Sequence, residues 1–114
     1  MSTSKRGKPG RHVAAFILLF LTRKPSYGFE LLKNFESELP YNLIDSAAIY
    51  RCLKTLETSE AVESTWDTSD SGAAKKIYTI TEKGYEVLDE FNKDIKKRHQ
   101  NLSYFLESYA DTKK

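Results

Sequence analysis

Residues 46–58 read SAAIYRCLKTLET, and they carry the clearest periodic pattern in this 114-residue chain. Ile49, Leu53 and Leu56 follow the i, i+4, i+7 spacing that places apolar side chains on one face of a helix. Cys52 lies at the border of the same stripe. The segment is therefore predicted to be an amphipathic helix that packs on a core through one face.

The opposite face of this helix is small and basic. At about 100° per residue it presents Ala47, Tyr50, Arg51, Lys54 and Thr58. Small residues, one aromatic ring and two cations suit a surface that approaches nucleic acid, although a solvated helix face has a similar composition. This pattern alone therefore leaves both interpretations open.

Two short β-prone runs follow the helix. They are VESTW at residues 62–66 and KIYTI at residues 76–80, and the segment between them is rich in Ser, Asp, Thr and Gly. The two runs are predicted to form a β-hairpin whose connection is a long loop, with Lys75 and Lys76 on its returning side.

Two more helices are predicted before residue 46. Residues 12–21 are too uniformly apolar for a single stripe, which indicates a helix buried on most sides. Ser26 is the expected N-cap of a second helix that ends at Pro40, and either Asp45 or Ser46 caps the third. Three helices followed by a hairpin is the element order of a winged helix-turn-helix. The predicted fold class is therefore mainly α with a small β-hairpin.

The last helix is predicted to start at the cap Thr81 and to run through residues 82–110. Its apolar residues repeat at seven-residue spacing, as in a coiled coil, with one interruption at Arg98. A helix of this length exceeds what a small domain can cover, so its distal half is expected to pack against a second copy; the alternative is that it folds back. The predicted dimerisation residues are Leu88, Phe91, Ile95, Leu102, Phe105 and Tyr109.

The predicted domain organisation has four parts: a basic flexible arm at 1–11, a winged helix-turn-helix at 12–81, a dimerisation helix at 82–110 and a tail at 111–114. The formal net charge is +2, and the arm contains basic but no acidic residues. Such an arm can bind a polyanion or serve only as a solubilising tail. The basic residues of the arm are Lys5, Arg6, Lys8 and Arg11.

Composition excludes several classes of protein. With 39% hydrophobic and 30% charged residues the chain is expected to form one small soluble domain. A single cysteine, no metal-ligand spacing and no glycine-rich phosphate loop argue against disulfides, metals, cofactors and catalysis. The longest apolar run is too short to cross a membrane, and no small-x-small cleavage site follows it, so a cytoplasmic location is expected.

Three motifs resemble the PadR family of bacterial transcriptional regulators: PSYGFELL at 25–32, AIYRCLKTLE at 48–57 and KIYTITEKG at 76–84. Residues 64–76 look like the subgroup of poly-hydroxybutyrate-responsive repressors. The resemblance implies a homodimeric repressor that reads a near-palindromic operator with the third helix and the wing, and that an inducer releases. The resemblance to this subgroup suggests an apolar polymer or granule surface as effector. A small molecule is the alternative, and the sequence does not identify the inducer.

Within this resemblance, Arg51 is predicted to bind a guanine edge through its planar fork, whereas Lys54 meets phosphate. The rival interpretation is a winged helix that binds proteins, but cations of one sign on helix, wing and arm favour DNA. The predicted DNA-contacting residues are Ser46, Ala47, Tyr50, Arg51, Lys54, Lys75 and Lys76.

The chain departs from the family pattern at several positions. Ala47 and Ala48 replace a common Gly-Thr, which removes a hydroxyl from the start of the third helix. Glu60 stands where relatives have glycine, so either this residue is strained or the helix continues past it. The last helix lacks tryptophan, so drug binding between stacked indoles is not expected. The ring of Tyr27 is predicted to lie over the junction of the first and third helices.

Overall fold

A computed structural model describes residues 12–42, 44–69 and 72–113. The predicted arm, with Lys5, Arg6, Lys8 and Arg11, lies outside the described residues, as does the last residue of the predicted tail. In chain order the described elements are α1 (Val13–Leu21), β1 (Ser26–Tyr27), α2 (Gly28–Glu38), α3 (Ser46–Thr58), β2 (Val62–Asp67), β3 (Lys75–Ile80) and α4 (Glu82–Asp111).

The expected hairpin is present as β2 and β3, which together form the wing, and a short third strand, β1, joins it. β2 and β3 pair antiparallel, and β1 pairs with the other edge of β3, placing Ser26 opposite Tyr78. Ser26 was expected to cap α2, but it is buried in β1, and Tyr27 is the N-cap residue instead. A two-residue strand is too short to show an alternating pattern, so the sequence does not reveal it.

α1 lies at the centre of the core, as its apolar density predicts. Ile17 and Leu18 are fully buried, and α1 contacts α2, α3, α4 and β3. The ring of Phe35 from α2 packs edge-on against Phe16 and Phe20 of α1, with centroid separations of 6.0 and 5.4 Å. Edge-to-face ring pairs add to the stabilisation from apolar burial, so this cluster joins the first two helices.

The caps of α3 and α4 follow the local sequence. Asp45, one of the two expected caps, accepts a hydrogen bond from the backbone N–H of Ala48 at 2.9 Å. Thr81 accepts from the N–H of Gly84 at 3.0 Å, as predicted. Gly84 packs so closely on the carbonyl of Ala61 that a Cβ would overlap it, which brings the start of α4 against the turn before the wing.

Glu60 occupies the left-handed region with φ 70°, so the alternative of a longer α3 is wrong. α3 ends at Thr58, and the N–H of Ala61 bonds the carbonyl of Leu56 at 2.9 Å across the turn. Glycine adopts this conformation at low cost, whereas a residue with a Cβ is strained there. The sharp turn directs the chain from α3 into β2.

α4 is a single helix of 30 residues. Val87, Leu88 and Phe91 pack against the core, whereas the apolar side chains beyond them are largely exposed. The helix therefore does not fold back on its own domain. Among the described residues, no helix is long and apolar enough to span a bilayer.

Candidate nucleic-acid interface

The outward face of α3 carries the predicted contact residues together. Ser46, Ala47, Tyr50, Arg51 and Lys54 are all exposed, while Ile49, Leu53 and Leu56 are buried beneath them. One helix thus presents a hydroxyl, a methyl, a phenol, a guanidinium and an ammonium to solvent. Such a face can enter a major groove and offer donors to base edges and phosphates.

Tyr50 is held in place by the start of α2. A Cβ at Gly28 would overlap the Tyr50 ring, so the ring packs directly on the glycine backbone. The side chain is nevertheless 48% exposed. The ring is therefore packed on the protein while part of the side chain stays accessible, as expected for a phosphate contact.

A cleft of about 290 Å³ lies between the start of α2, the exposed face of α3 and the wing. Aromatic rings form most of its walls, and two ammonium groups lie on the wing side. Tyr50 thus shares a cleft with the wing lysines, whereas Arg51 and Lys54 line a separate cleft on α3. The lining residues are Tyr27, Gly28, Phe29, Tyr50, Lys75, Lys76 and Tyr78.

Tyr27 of β1 contacts the wing, whereas the sequence predicted its ring over the junction of α1 and α3. It pairs with Ile77 across the sheet, and its hydroxyl donates a hydrogen bond to the carboxylate of Asp67. This bond, followed by the bonds from Ser69, lowers the pKa of Asp67 to about 2. The ammonium of Lys75 lies 5.1 Å from the centroid of the Tyr27 ring, so these three side chains group at the end of the hairpin.

Lys76, predicted to contact DNA, is engaged within the protein. Its ammonium lies 3.1 Å from Oε1 of Glu57 on α3, and it also approaches the rings of Trp66 and Tyr78 at 5.9 and 5.7 Å. Lys75 is exposed one residue earlier on β3. The two lysines thus have different surroundings, because successive strand residues point to opposite faces.

Glu57 is the residue that the sequence pattern does not single out. Its Oε2 accepts a hydrogen bond from Ser64 Oγ at 2.6 Å, in addition to the Lys76 contact. The Ser64 hydroxyl and then the Lys76 ammonium lower the pKa of the Glu57 carboxyl. No local motif signals this role, because its partners lie 7 and 19 residues away.

The predicted dimerisation residues divide into two groups. Leu88 and Phe91 pack on the core of the same chain, and Ile95 is half-buried. Farther along α4, Phe105 is 60% exposed and stacks on Tyr109 with ring centroids 6.1 Å apart. The exposed distal residues of the predicted set are Leu102, Phe105 and Tyr109.

Two observations bear on metal binding and thiol chemistry in the described part of the chain. No set of three or more His, Cys, Asp or Glu residues there is arranged to hold a metal ion. Burial raises the pKa of the Cys52 thiol to about 11, so at neutral pH the group stays protonated and is a poor nucleophile.

Comparison with known proteins supplies the family. The sequence profile described as "Transcriptional regulator PadR-like family" matches residues 17–90. A PadR family regulator from Clostridium difficile is similar in structure, with TM-score 0.71, 22% identity and coverage of 83% of this chain and 98% of that one. A PadR-like regulator from Bacillus cereus has TM-score 0.70 and 25% identity, with coverage of 83% and 91%.

A structure of Bacillus subtilis PadR in complex with operator DNA is also similar, with TM-score 0.65 and 25% identity. It matches over 73% of this chain and 48% of that one. No curated protein sequence matches the chain. The family profile covers most of the winged-helix elements described above, and on that evidence the chain belongs to the PadR-like family of transcriptional regulators.

Proposed function

We propose that this protein is a sequence-specific DNA-binding regulator that places α3 in a major groove and the wing on the flanking backbone. The observation that carries the proposal is the exposed face of α3, which presents Tyr50, Arg51 and Lys54. Tyr50 of this face shares a cleft with Lys75 of the wing. The similar fold of Bacillus subtilis PadR, solved in complex with operator DNA, supports DNA binding by this fold.

Each exposed side chain has a role that suits its chemistry. The planar guanidinium of Arg51 can bind the O6 and N7 of guanine bidentately, whereas the ammonium of Lys54 neutralises phosphate. The Tyr50 hydroxyl bonds a phosphate while its ring stays on Gly28. Ala47 has a small side chain that lets the N-terminal turn of α3 approach the groove.

The functional unit in this proposal is a homodimer. Residues 12–81 form the DNA-binding domain. Residues 82–110 pair with a second copy through the distal stripe of α4, which consists of the exposed residues Leu102, Phe105 and Tyr109. Two α3 helices then reach successive major grooves, about 34 Å apart, on a near-palindromic operator.

Regulation completes the proposal. The protein represses from the cytoplasm without catalysing a reaction, and an effector releases it by changing the separation of the two wings, since operator geometry tolerates only one spacing. The resemblance of residues 64–76 to poly-hydroxybutyrate-responsive repressors makes an apolar polymer the first effector to assay.

The test starts with selection of bound fragments from random DNA, followed by affinity measurements on the selected operator. We expect Arg51→Ala to relax base preference with a loss of about 1–3 kcal/mol, and Lys54→Ala and Lys75→Ala to weaken all sequences alike. Lys97→Ala, which removes the same charge from exposed α4, is the control.

Parental affinity of all three variants for a selected operator would overturn DNA recognition by this face. Absence of any enriched sequence would overturn sequence-specific DNA binding. That result would instead favour a winged helix that binds another protein.

A further inference from the structure

Glu57 joins α3 to both strands of the wing. Its Oε2 accepts from Ser64 on β2 at 2.6 Å, and its Oε1 lies 3.1 Å from the ammonium of Lys76 on β3. Each carboxylate oxygen of Glu57 therefore contacts a side chain from a different strand of the wing. This single side chain connects the helix to each strand of the hairpin.

Lys76 in this ion pair also packs against aromatic rings and is only partly exposed. The ammonium also lies near the rings of Trp66 and Tyr78, and the side chains of Lys76 and Glu57 are 36% and 35% exposed. The Glu57 hydrogen bond raises the pKa of Lys76, while Ser64 and Lys76 lower that of Glu57. Both groups are therefore charged at neutral pH.

Position in the fold makes this contact relevant to DNA. Glu57 lies one turn along α3 from Lys54, on the side of the helix that faces the wing. Lys76 is adjacent to Lys75, the exposed cation at the end of the hairpin. The contact therefore sets how far the wing cation stands from the contact residues of α3.

We propose that Glu57 is a positioning residue for DNA recognition: through Ser64 and Lys76 it fixes the wing relative to α3. Lys76 then makes a structural contact within the protein, and Lys75 is the wing cation that contacts phosphate. This inference rests on the proposed DNA-binding function and assigns a role to a carboxylate that itself touches no DNA.

The direction in which DNA affinity changes distinguishes a positioning contact from a simple effect of charge. Removing a carboxylate near the DNA-facing surface reduces repulsion of a polyanion and by itself strengthens binding. Loss of a positioning contact weakens binding instead. Glu57→Gln and Glu63→Gln remove the same charge, but Glu63 is exposed on β2 next to Ser64. The two variants are thus matched in charge and differ in position.

The experiment measures affinity for the selected operator at several salt concentrations. We expect Glu57→Gln to lose about two- to fivefold in affinity, because partly exposed ion pairs contribute modestly, whereas Glu63→Gln binds as well as the parent or better. The salt slope of Glu57→Gln should fall by less than the ~0.9 expected for loss of a whole phosphate contact, since Lys75 keeps its charge. Lys76→Gln should reduce operator affinity less when it is added to Glu57→Gln than when it is made in the parent, because the contact between the two side chains is already lost.

Trp66, the single tryptophan of the chain, reports on the same contact without DNA. Release of Lys76 should change the Trp66 fluorescence of Glu57→Gln but not that of Glu63→Gln. Ser64→Ala, a milder variant that removes one of the two links, should weaken operator binding in the same direction if Glu57→Gln proves unstable.

The possible failures are distinguishable. A parent protein that binds no DNA overturns the proposed function. A parent that binds, with Glu57→Gln equal or tighter and Trp66 fluorescence unchanged, overturns the positioning role alone. A salt slope that falls by about 0.9 in Lys76→Gln would also overturn it, because Lys76 would then be a phosphate contact.

Discussion

The winged-helix body, from α1 through Phe91, encloses a core of buried apolar side chains, whereas the distal helix, residues 92–111, leaves most of its large apolar side chains exposed. Phe35 in the body is 1% exposed, and Phe105 in the distal helix is 60% exposed. Burying apolar area contributes about 25 cal/mol per Å², so the body gains this stabilisation within one chain. The distal helix gains it only against a further surface, which makes a second copy part of the proposed structure.

The side-chain hydrogen bonds of the two regions also differ, in the sequence separation between their partners. In the body, Tyr27 bonds Asp67 across 40 residues of sequence, and Glu57 reaches Lys76 across 19. In the distal helix, Arg98 bonds Asp94 only one helical turn away at 2.7 Å. The body therefore depends on its tertiary structure, while the distal helix combines local contacts with a tertiary approach at its start, from His12 Nε2 to Asp94 Oδ2 at 3.7 Å.

The largest expected effect is loss of a core ring. Phe35→Ala should lower the free energy of unfolding by about 3–5 kcal/mol, because it empties the space between Phe16 and Phe20. Urea denaturation should give the same loss at every protein concentration. If Phe35→Ala were as stable as the parent, the body would not depend on this cluster.

A charge in the distal stripe should separate the proposed dimer. Phe105→Asp is expected to yield a monomer by light scattering and to weaken operator binding about a hundredfold, because the two half-sites are no longer linked. Tyr104→Asp is the matched control, since Tyr104 is 72% exposed but lies about 100° around the helix from Phe105, outside the stripe of Leu102, Phe105 and Tyr109. Monomer formation by both variants, or by neither, would contradict this surface.

Relieving the backbone strain at the turn after α3 should raise the stability of the protein by a smaller amount than the preceding variants lower stability or affinity. Glu60→Gly should raise the free energy of unfolding by about 1 kcal/mol, because glycine adopts φ 70° without the Cβ clash. Glu60→Ala keeps the Cβ and should show no such gain. Equal stabilities of the two variants in urea denaturation would mean that backbone strain at this position is negligible.

The smallest effect concerns acid titration of the body. Asp67 has a pKa of about 2 against an ordinary 3.8, so its contribution to stability is present above pH 3.8 and is lost as pH falls toward 2. Tyr27→Phe should move the pKa of Asp67 upward in a carboxyl NMR titration. Arg98→Ala, the control, should raise only the pKa of Asp94. An unshifted Asp67 in Tyr27→Phe would exclude the hydroxyl as the main cause.

Local patterns predicted much of the fold and part of the candidate site. The apolar stripe of α3 and the caps at Asp45 and Thr81 depend on residues within a few positions of one another, and all appear as expected. The exposed set on α3 followed from helical geometry alone. Contacts between distant residues were missed: Ser26 joins a strand, and Tyr27 turns toward Asp67.

The sequence by itself therefore determined the helices, the hairpin and the basic face of α3, because hydrogen bonding within a helix and capping are short-range. Only the tertiary structure decided that Lys76 pairs with Glu57 while Lys75 stays exposed, and that the stripe of α4 divides at Phe91. Neighbouring lysines have the same local propensity. Their surroundings differ because the sheet turns them to opposite faces and one of those faces meets α3.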